Sequence, residues 1–406
     1  MVNNKKRPTV LWRLNKPLYG LDDSSRKFYL HVKKIFLKNG IKLLPSDNAY
    51  FYCQKNGILV GQVVIHVDDF FISGTGDFLE LFLNIVKSSL KVSKIEYGSF
   101  RFTGVDIRQD EKKIVVSMNA YADSLKPVAD FRKDKNVALL NELELQVYRK
   151  YTGKLSWLAE NCRPDLAFLV NNLSRKSHAA TLSDLKFVNK VLKKVRERES
   201  EIVYSRVGKK EDLVIKVMSD ASYMKVKDSI SGILVVLANK MNQVAVPLYW
   251  KSKKIAKMTT STKDAETHAL FKGVTDAVYV ASTIETLLFG DVQHRLVVDS
   301  FIDSKPLLES LASTKVVENK FLVSEINALK LLLEDGHVRS YTWVATDDQL
   351  ADVFTKDMLE PVAFRNLFLR NRCSFMKFQF NPRAILKIHD KDTVDESREI
   401  KLENCS

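Results

Sequence analysis

The sequence predicts a protein of mixed class, α+β in its first part and α/β in its last. Three observations lead there. Short strand-like runs mixed with amphipathic helix fill residues 1 to about 125, and helical periodicity dominates about 130 to 200. From about 212 the order is βββαβ, then helices, a strand and a helix, which describes a layered domain with a mixed sheet. The 406 residues, 45% of them hydrophobic, suffice for two or three domains with sizeable cores.

Each element has its own signal. Phe28, Leu30, Val32, Ile35 and Phe36 recur among basic residues between Arg26 and Leu37, which predicts a helix that Asn39-Gly40 stops. Tyr50–Cys53 and Ile58–Ile65 read as strands joined at Lys55-Asn56-Gly57, and Phe70–Ser73 as a further strand after Asp68-Asp69. Phe100–Arg108 and Lys113–Met118 read as a hairpin turning at Gln109-Asp110-Glu111. Helices are expected at Glu142–Glu160, Asp165–Leu173 and Asp184–Arg198. Strands follow at Leu213–Met218, Ile233–Leu237, Val244–Trp250, Arg295–Ile302 and Val338–Val344. A long helix is expected from Thr262 to Leu288, others at about 304–311 and 317–334, and a last one from near Thr346. Asn381–Ser406, dense in charge and poor in aromatics, reads as a loosely ordered tail.

Composition excludes several classes. Cys53, Cys162, Cys373 and Cys405 are scattered, so neither a zinc finger nor a disulfide framework is indicated. No apolar run approaches a membrane span, and the N-terminus lacks the apolar core of a secretion signal. An intracellular protein without a membrane partner is expected, in a cytoplasmic particle, the nucleus or both. Lys and Arg number 64 against 49 Asp and Glu, a net charge of +15. That excess favours a polyanion such as nucleic acid. Lys186, Lys190, Lys193, Lys194, Arg196 and Arg198 crowd one helix, either as a solvated face or as a surface for backbone phosphates.

Two groups of carboxylates could carry chemistry. Asp68 and Asp69 sit between apolar strand runs, and a hairpin tip there could present both to hard divalent cations. Asp220 closes one strand, Glu266 lies on the long helix, Asp303 ends another strand with Asp299 as a competitor, and Asp352 lies at the start of the last helix. Strand ends and helix starts can converge at one edge of an α/β sheet. Acids packed together there would repel unless cations lay between them. Trp250, Lys251, Lys253 and Lys254 join the third strand to the long helix and would suit a phosphate backbone. His268, two residues after Glu266 on a helix, points elsewhere.

At these residues the sequence resembles the reverse transcriptase–RNase H part of a Ty1/copia-type retrotransposon Pol polyprotein. Leu18-Tyr19-Gly20-Leu21 with Ser25-Arg26-Lys27-Phe28-Tyr29 resembles its LYGL block, and His66-Val67-Asp68-Asp69 its YVDD motif with His for Tyr. Phe102-x-Gly104 resembles the following palm strand, and Tyr148-Arg149 through Trp157-Leu158 with Arg163-Pro164-Asp165 the block beyond the palm. Ser219-Asp220-Ala221-Ser222 resembles the first RNase H strand. Trp250 to Lys254, Ser261 to Glu266, Asp303-Ser304-Lys305 and Gln349 to Lys356 resemble the WKSKK, STEAE, DN(K/Q)S and QLADxLTK blocks. The resemblance covers roughly residues 9 to 358 and keeps the family's order.

The resemblance implies a partial reverse transcriptase palm over 1–125, a helical thumb or connection over 126–205 and an RNase H-like mixed-sheet domain over 210–360. The remainder, 361–406, would be a partly disordered tail. It implies that Asp220, Glu266, Asp303 and Asp352 bind two Mg²⁺, with Mn²⁺ as a substitute, and cut the RNA strand of an RNA–DNA hybrid. Lys190, Lys193, Lys194, Trp250, Lys251, Lys253 and Lys254 would contact nucleic acid. Asp68 and Asp69 would hold the polymerase metals on an RNA template and DNA primer. The family's polymerase needs a further Asp upstream of LYGL, and Met1–Pro17 contains no Asp or Glu. RNA cleavage is therefore expected to be retained and polymerisation lost. A non-catalytic nucleic-acid-binding relic is the alternative.

Overall fold

A computed structural model describes residues 20–129, 132, 135–223, 228–290, 296–313 and 322–373, with the backbone of 385–387. Leu18 and Tyr19 lie outside the described residues. The mixed α and β class expected from the sequence is found, with three separate sheets among the described residues. The chain divides into two compact units. One comprises residues up to Ile95 with Thr286–Gly290, the other Glu96–Glu285 and the residues from Asp291 onward.

In the first unit, helix α1 (Ser24–Lys38) buries Val32 and Phe36, one turn apart. The strands β1 (Lys42–Leu43), β2 (Tyr50–Lys55), β3 (Ile58–His66) and β4 (Asp69–Gly74) pair antiparallel in chain order. Asn56 and Gly57 link β2 to β3 with φ of 52° and 73°, the geometry of the expected tight hairpin. Helix α2 (Gly76–Ser89) went unread in the sequence. Thr75 caps it by accepting the Phe78 amide. The helix rests on two glycines paired across β3 and β4, Gly61 and Gly74. A Cβ at these positions would lie 1.9 Å and 2.6 Å from the Phe78 ring. Phe36, Phe51 and Phe82 complete the core, with ring centroids 5.2–5.3 Å from Phe36.

The second unit begins at Glu96, ahead of the boundary near 125 drawn from the sequence. The reason is that β5 (Ser99–Phe102), β6 (Val105–Gln109) and β7 (Lys113–Ser117) join a strand far along the chain. Phe100–Arg108, expected as one strand, is two. Thr103 and Gly104, with φ of 50° and 84°, turn the chain back so that Phe102 pairs with Val105. Helices α3 (Asn119–Ser124), α4 (Glu142–Asn161), α5 (Ala167–Arg175) and α6 (Leu182–Val195) share a core with these strands, centred on Met118, Tyr148, Leu158 and Val188. Capping boxes start α4 at Asn141/Glu144 and α6 at Thr181/Asp184. Strand β8 (Glu201–Ser205) then pairs with β7, giving the order β5-β6-β7-β8.

Arg163 is buried beneath these helices. Its guanidinium donates twice to Asp165, at 2.8 Å and 2.9 Å, and to the carbonyls of Lys194 (2.9 Å) and Val195 (2.6 Å) at the end of α6. Arg198 also pairs with Asp165, at 2.7 Å.

The rest of the second unit is built on β9 (Leu213–Ser222), β10 (Ile230–Asn239), β11 (Ala245–Lys254), β12 (Val298–Ile302), β13 (Val338–Trp343) and β14 (Ile385–Lys387). Their order is β11-β10-β9-β12-β13-β14; β12 runs parallel to both neighbours and the other pairs are antiparallel. This is the mixed sheet expected from the order of strands and helices. Helix α7 (Thr262–Phe289) lies against β9 at Gly273, where a Cβ would sit 3.3 Å from Ser219 and 3.4 Å from Val217. Helices α8 (Lys305–Ala312) and α9 (Val323–Glu334) follow β12.

Two expectations need correction. No regular helix starts near Thr346. The chain makes 3-10 turns at Thr346–Asp348 and Leu350–Phe354, interrupted at Gln349, whose side chain bonds backbone on both sides. Nor is 361 onward all tail. Helix α10 (Val362–Arg370) buries Phe364, Leu367 and Phe368 in the core beside Phe354. Asn371 ends α10 in the left-handed region and stitches it to β8, donating to the Val203 carbonyl and accepting the Ser205 amide. Ile385–Lys387, in the stretch read as a loose tail, add a strand beside β13. Residues 388–406 lie outside the described residues.

Candidate active site

The acids of the second unit arrive at one sheet edge by register. Phe301 on β12 pairs in parallel with Met218 on β9, and each strand carries its acid two residues further on, Asp303 and Asp220. Glu266 comes from the first turns of α7. Ser261 accepts the Asp264 amide, and the Asp264 carboxylate accepts the Thr260 amide, which fixes where that helix begins. The result brings one carboxylate oxygen each of Asp220, Glu266 and Asp303 within 4.8 Å of one another. Asp220 and Glu266 are buried, 2% and 7% exposed.

Asp352 is held beside this group but not in it. Its Oδ2 pairs with Lys356 Nζ at 2.7 Å, four residues along, and the same ammonium lies 3.8 Å from Asp220 Oδ2. The 350–356 segment is anchored on the sheet by three contacts. Gln349 donates to the Ser219 carbonyl at 3.1 Å, Thr355 donates its hydroxyl to the Asp220 carboxylate, and Ser252 on β11 donates to the Phe354 carbonyl at 2.6 Å. Close approach is possible because Gly232 stands opposite Asp220 on β10. A Cβ there would lie 2.6 Å from the Ala351 carbonyl oxygen.

The electrostatics follow from burial and crowding. Burial, then the charges of Asp220 and Asp303, pushes Glu266 up to about 9, although the Ala221 backbone amide donates to it in opposition. Burial and Asp220 likewise raise Asp352 to about 7 against the pull of Lys356, and burial and Asp220 raise Asp303. Burial works to lower Lys356, but its bond to Asp352 and the surrounding acids outweigh it and hold the ammonium charged. Asp352 Oδ1 is buried without a hydrogen-bond partner. An all-carboxylate donor set with an orphaned buried oxygen fits a hard divalent cation.

Asp299 is removed as a competitor to Asp303. It receives a two-pronged contact from Arg339, at 2.9 Å through Nε, and is committed to that pair. His268 bonds Glu325, away from the acids. Sequence reasoning missed Gln349, Thr355, Lys356 and Gly232. The first three lie in the block that was read for Asp352 alone, and their roles need the neighbouring strand to become visible.

The expected nucleic-acid contacts divide. Lys190 and Lys193 are exposed on α6 and Lys194 is half-buried. Arg196 and Arg198 leave the basic face, since Arg196 bonds the Leu125 carbonyl and Arg198 joins Asp165 and Glu360. Lys251, Lys253 and Lys254 end strand β11 instead of forming a loop; Lys253 and Lys254 are exposed, and Lys254 meets Asp228 at 3.1 Å. Trp250 is half-buried; its indole N–H donates to the Ala159 carbonyl and its ring packs edge-on against Phe368.

Asp68 and Asp69 lie at the tip of the β3–β4 hairpin, both exposed. His66 pairs with Asp69 across a two-residue turn in which Val67 takes a φ of 56°, unusual for a β-branched residue. Among the described residues no third acid is grouped with them.

Comparison with known proteins agrees with the motif reading. Residues 2–139 match the family model for reverse transcriptase (RNA-dependent DNA polymerase). The chain is 25% identical over 386 residues to the retrovirus-related Pol polyprotein from transposon RE2 of Arabidopsis thaliana, covering 89% of this chain and 25% of that protein. It is 24% identical over 274 residues to a putative transposon Ty5-1 protein of Saccharomyces cerevisiae, covering 62% of this chain and 84% of that one. Among solved structures, the N-terminal RNase H domain of a Mycobacterium tuberculosis protein aligns at 18% identity with a TM-score of 0.26, covering 34% of this chain and 86% of that one. The foamy viral protease-reverse transcriptase in complex with dsDNA aligns at 15% identity with a TM-score of 0.19, covering 80% of this chain and 60% of that one. The chain spans about a quarter of the length of the first curated relatives. The similarity to a retrotransposon Pol polyprotein with a reverse transcriptase, expected from the motifs, is thus found by the family and curated-protein comparisons.

Proposed function

We propose that the second unit is a ribonuclease H of a Ty1/copia-type element, cutting the RNA strand of an RNA–DNA hybrid with Mg²⁺. The observation that carries this is the convergence of Asp220, Glu266 and Asp303 within 4.8 Å. Such a group repels itself without cations, and it sits at one edge of the sheet, where β9, the end of β12 and the first turns of α7 converge. Asp220, Glu266 and Asp303, with Asp352 beside them, would hold the cations. Bound there, divalent cations supply an activated water and charge compensation for the leaving oxygen of a phosphodiester. The chain's own contribution is positioning: Thr355 orients the Asp220 carboxylate, and Gln349 fixes the segment bearing Asp352 to β9. Exposed Lys190, Lys193 and Lys253 would meet backbone phosphates.

The test is cleavage of a labelled RNA–DNA hybrid with Mg²⁺. Asp220→Asn, Glu266→Gln and Asp303→Asn should each lower the rate by a hundredfold or more, on the order of removing one charged group of a catalytic constellation. Wild-type rates in these variants would overturn the assignment. One observation favours a second reading. The Lys356 ammonium already offsets two of the acids without a cation, as a non-catalytic nucleic-acid-binding relic would require. That reading predicts salt-dependent binding and no cleavage.

We also propose that Asp68 and Asp69, the polymerase acids by resemblance, do not sustain primer extension in this 406-residue chain. Two exposed carboxylates on a turn hold a cation weakly compared with a buried group of three. Robust extension of a DNA primer on an RNA template would refute this.

A further inference from the structure

Lys356 lies beside the fourth acid and one of the other three. Its Nζ contacts Asp352 Oδ2 at 2.7 Å and stands 3.8 Å from Asp220 Oδ2. Asp220, Glu266 and Asp303 form a group by themselves, with Asp352 outside it. Asp352 is nevertheless 6% exposed, and its other oxygen, Oδ1, has no hydrogen-bond partner. A buried carboxylate with one oxygen on an ammonium and the other unsatisfied is a half-filled ligand. Lys356 itself is only partly buried, its side chain 43% exposed, so the ammonium has solvent within reach if it is displaced. Thr355, next to it, holds Asp220 from the same segment and keeps that carboxylate in place whichever cation neutralises it.

We infer that Lys356 is a built-in counter-cation that occupies the Asp220–Asp352 side of the acidic group and competes with a second divalent ion. The first ion binds at Asp220, Glu266 and Asp303. A second can use Asp352 only when the Lys356 ammonium withdraws to solvent, because two positive charges cannot share that gap in a buried setting. Lys356 is thus a positioning residue that sets the order of cation binding. This rests on the proposed cation-dependent site and assigns a role within it.

The experiment is titration of the full chain with Mn²⁺ in the absence of nucleic acid, read by calorimetry and by the loss of free Mn²⁺ signal in electron paramagnetic resonance. Wild type should bind one ion clearly and a second at least tenfold more weakly. Lys356→Met should tighten the second site by about tenfold or more, while Lys356→Arg, which keeps the charge, should resemble wild type. Without metal, Lys356→Met should melt at a lower temperature than wild type, and Mn²⁺ should raise its melting temperature by more. Asp303→Asn serves as the reference for the first site. Wild-type binding that Asp303→Asn abolishes, with Lys356→Met unchanged in affinity and stoichiometry, would overturn the role of Lys356 and leave the cation site standing. Absence of Mn²⁺ binding in every variant would overturn both.

Discussion

At the scale of single residues, the acidic group makes the cation-free protein sensitive to pH. Glu266 is held up to about 9 and Asp352 up to about 7, chiefly by burial and then by neighbouring carboxylates. Unfolded, such groups titrate near 4.3 and 3.9. A carboxyl whose pKa is higher folded than unfolded contributes stability below the unfolded value and loses it as pH rises toward the folded value. Without metal, the melting temperature should therefore fall between about pH 4.5 and 9, and Mg²⁺ should raise it more at pH 8 than at pH 6. A metal-induced shift equal at both values would contradict that linkage. Asp165 behaves in the opposite sense. Burial would raise its pKa, but the Arg163 contact and the charges of Arg163, Arg198 and Lys194 outweigh it and hold it low. Its contribution is present above about pH 4 and lost on acidification. Arg163→Met should cost about 3–5 kcal/mol in denaturant unfolding, because Asp165 then stays buried with half its partners. A cost below 1 kcal/mol would show that the pair carries little.

At the scale of elements, two glycines decide close packing. Gly232 admits the 350–355 segment onto β10 opposite Asp220. Gly232→Ala would press a methyl group against the Ala351 carbonyl and the Thr355 and Phe354 side chains. If the second unit is the proposed nuclease, it should weaken hybrid cleavage and cation binding together, since the site would depend on where that segment lies. Gly61 plays the same part beneath α2. Gly61→Ala should destabilise by about 1–3 kcal/mol through overpacking, and adding Phe78→Leu should recover part of the loss. No recovery would mean that the clash lies elsewhere. Legibility differed by element for local reasons. The Asn56-Gly57 hairpin and the long helix α7 carry turn chemistry and helical length in their own residues. The Thr103-Gly104 turn was missed because its positive φ falls first on a threonine, in a stretch where apolar and polar residues alternate as along one strand. Helix α2 was missed although Thr75 and Asp77 mark its start. The tail boundary was misplaced because Phe364, Leu367 and Phe368 look unremarkable until the core that receives them is present.

At the scale of the whole molecule, the net charge of +15 acquires an address. Two of the six basic residues expected to face phosphates, Arg196 and Arg198, lie past the end of α6 and are bonded within the fold. Lys190 and Lys193 remain exposed. If both meet phosphates, replacing them with Ala should reduce the slope of log K against log salt for hybrid binding by about two. An unchanged slope would identify a solvated face. No described helix is long and apolar enough to cross a membrane. The sequence by itself determined most of the element types, the resemblance and which acids were candidates, because periodicity, turn residues and short motifs are local properties. Tertiary structure alone decided that Asp303 and not Asp299 joins the group, that the Trp250 indole bonds the Ala159 carbonyl, and that Lys356 pairs with Asp352 beside Asp220. Those outcomes depend on strand register and on which atoms meet across the sheet, and residues far apart in the chain carry no local trace of either.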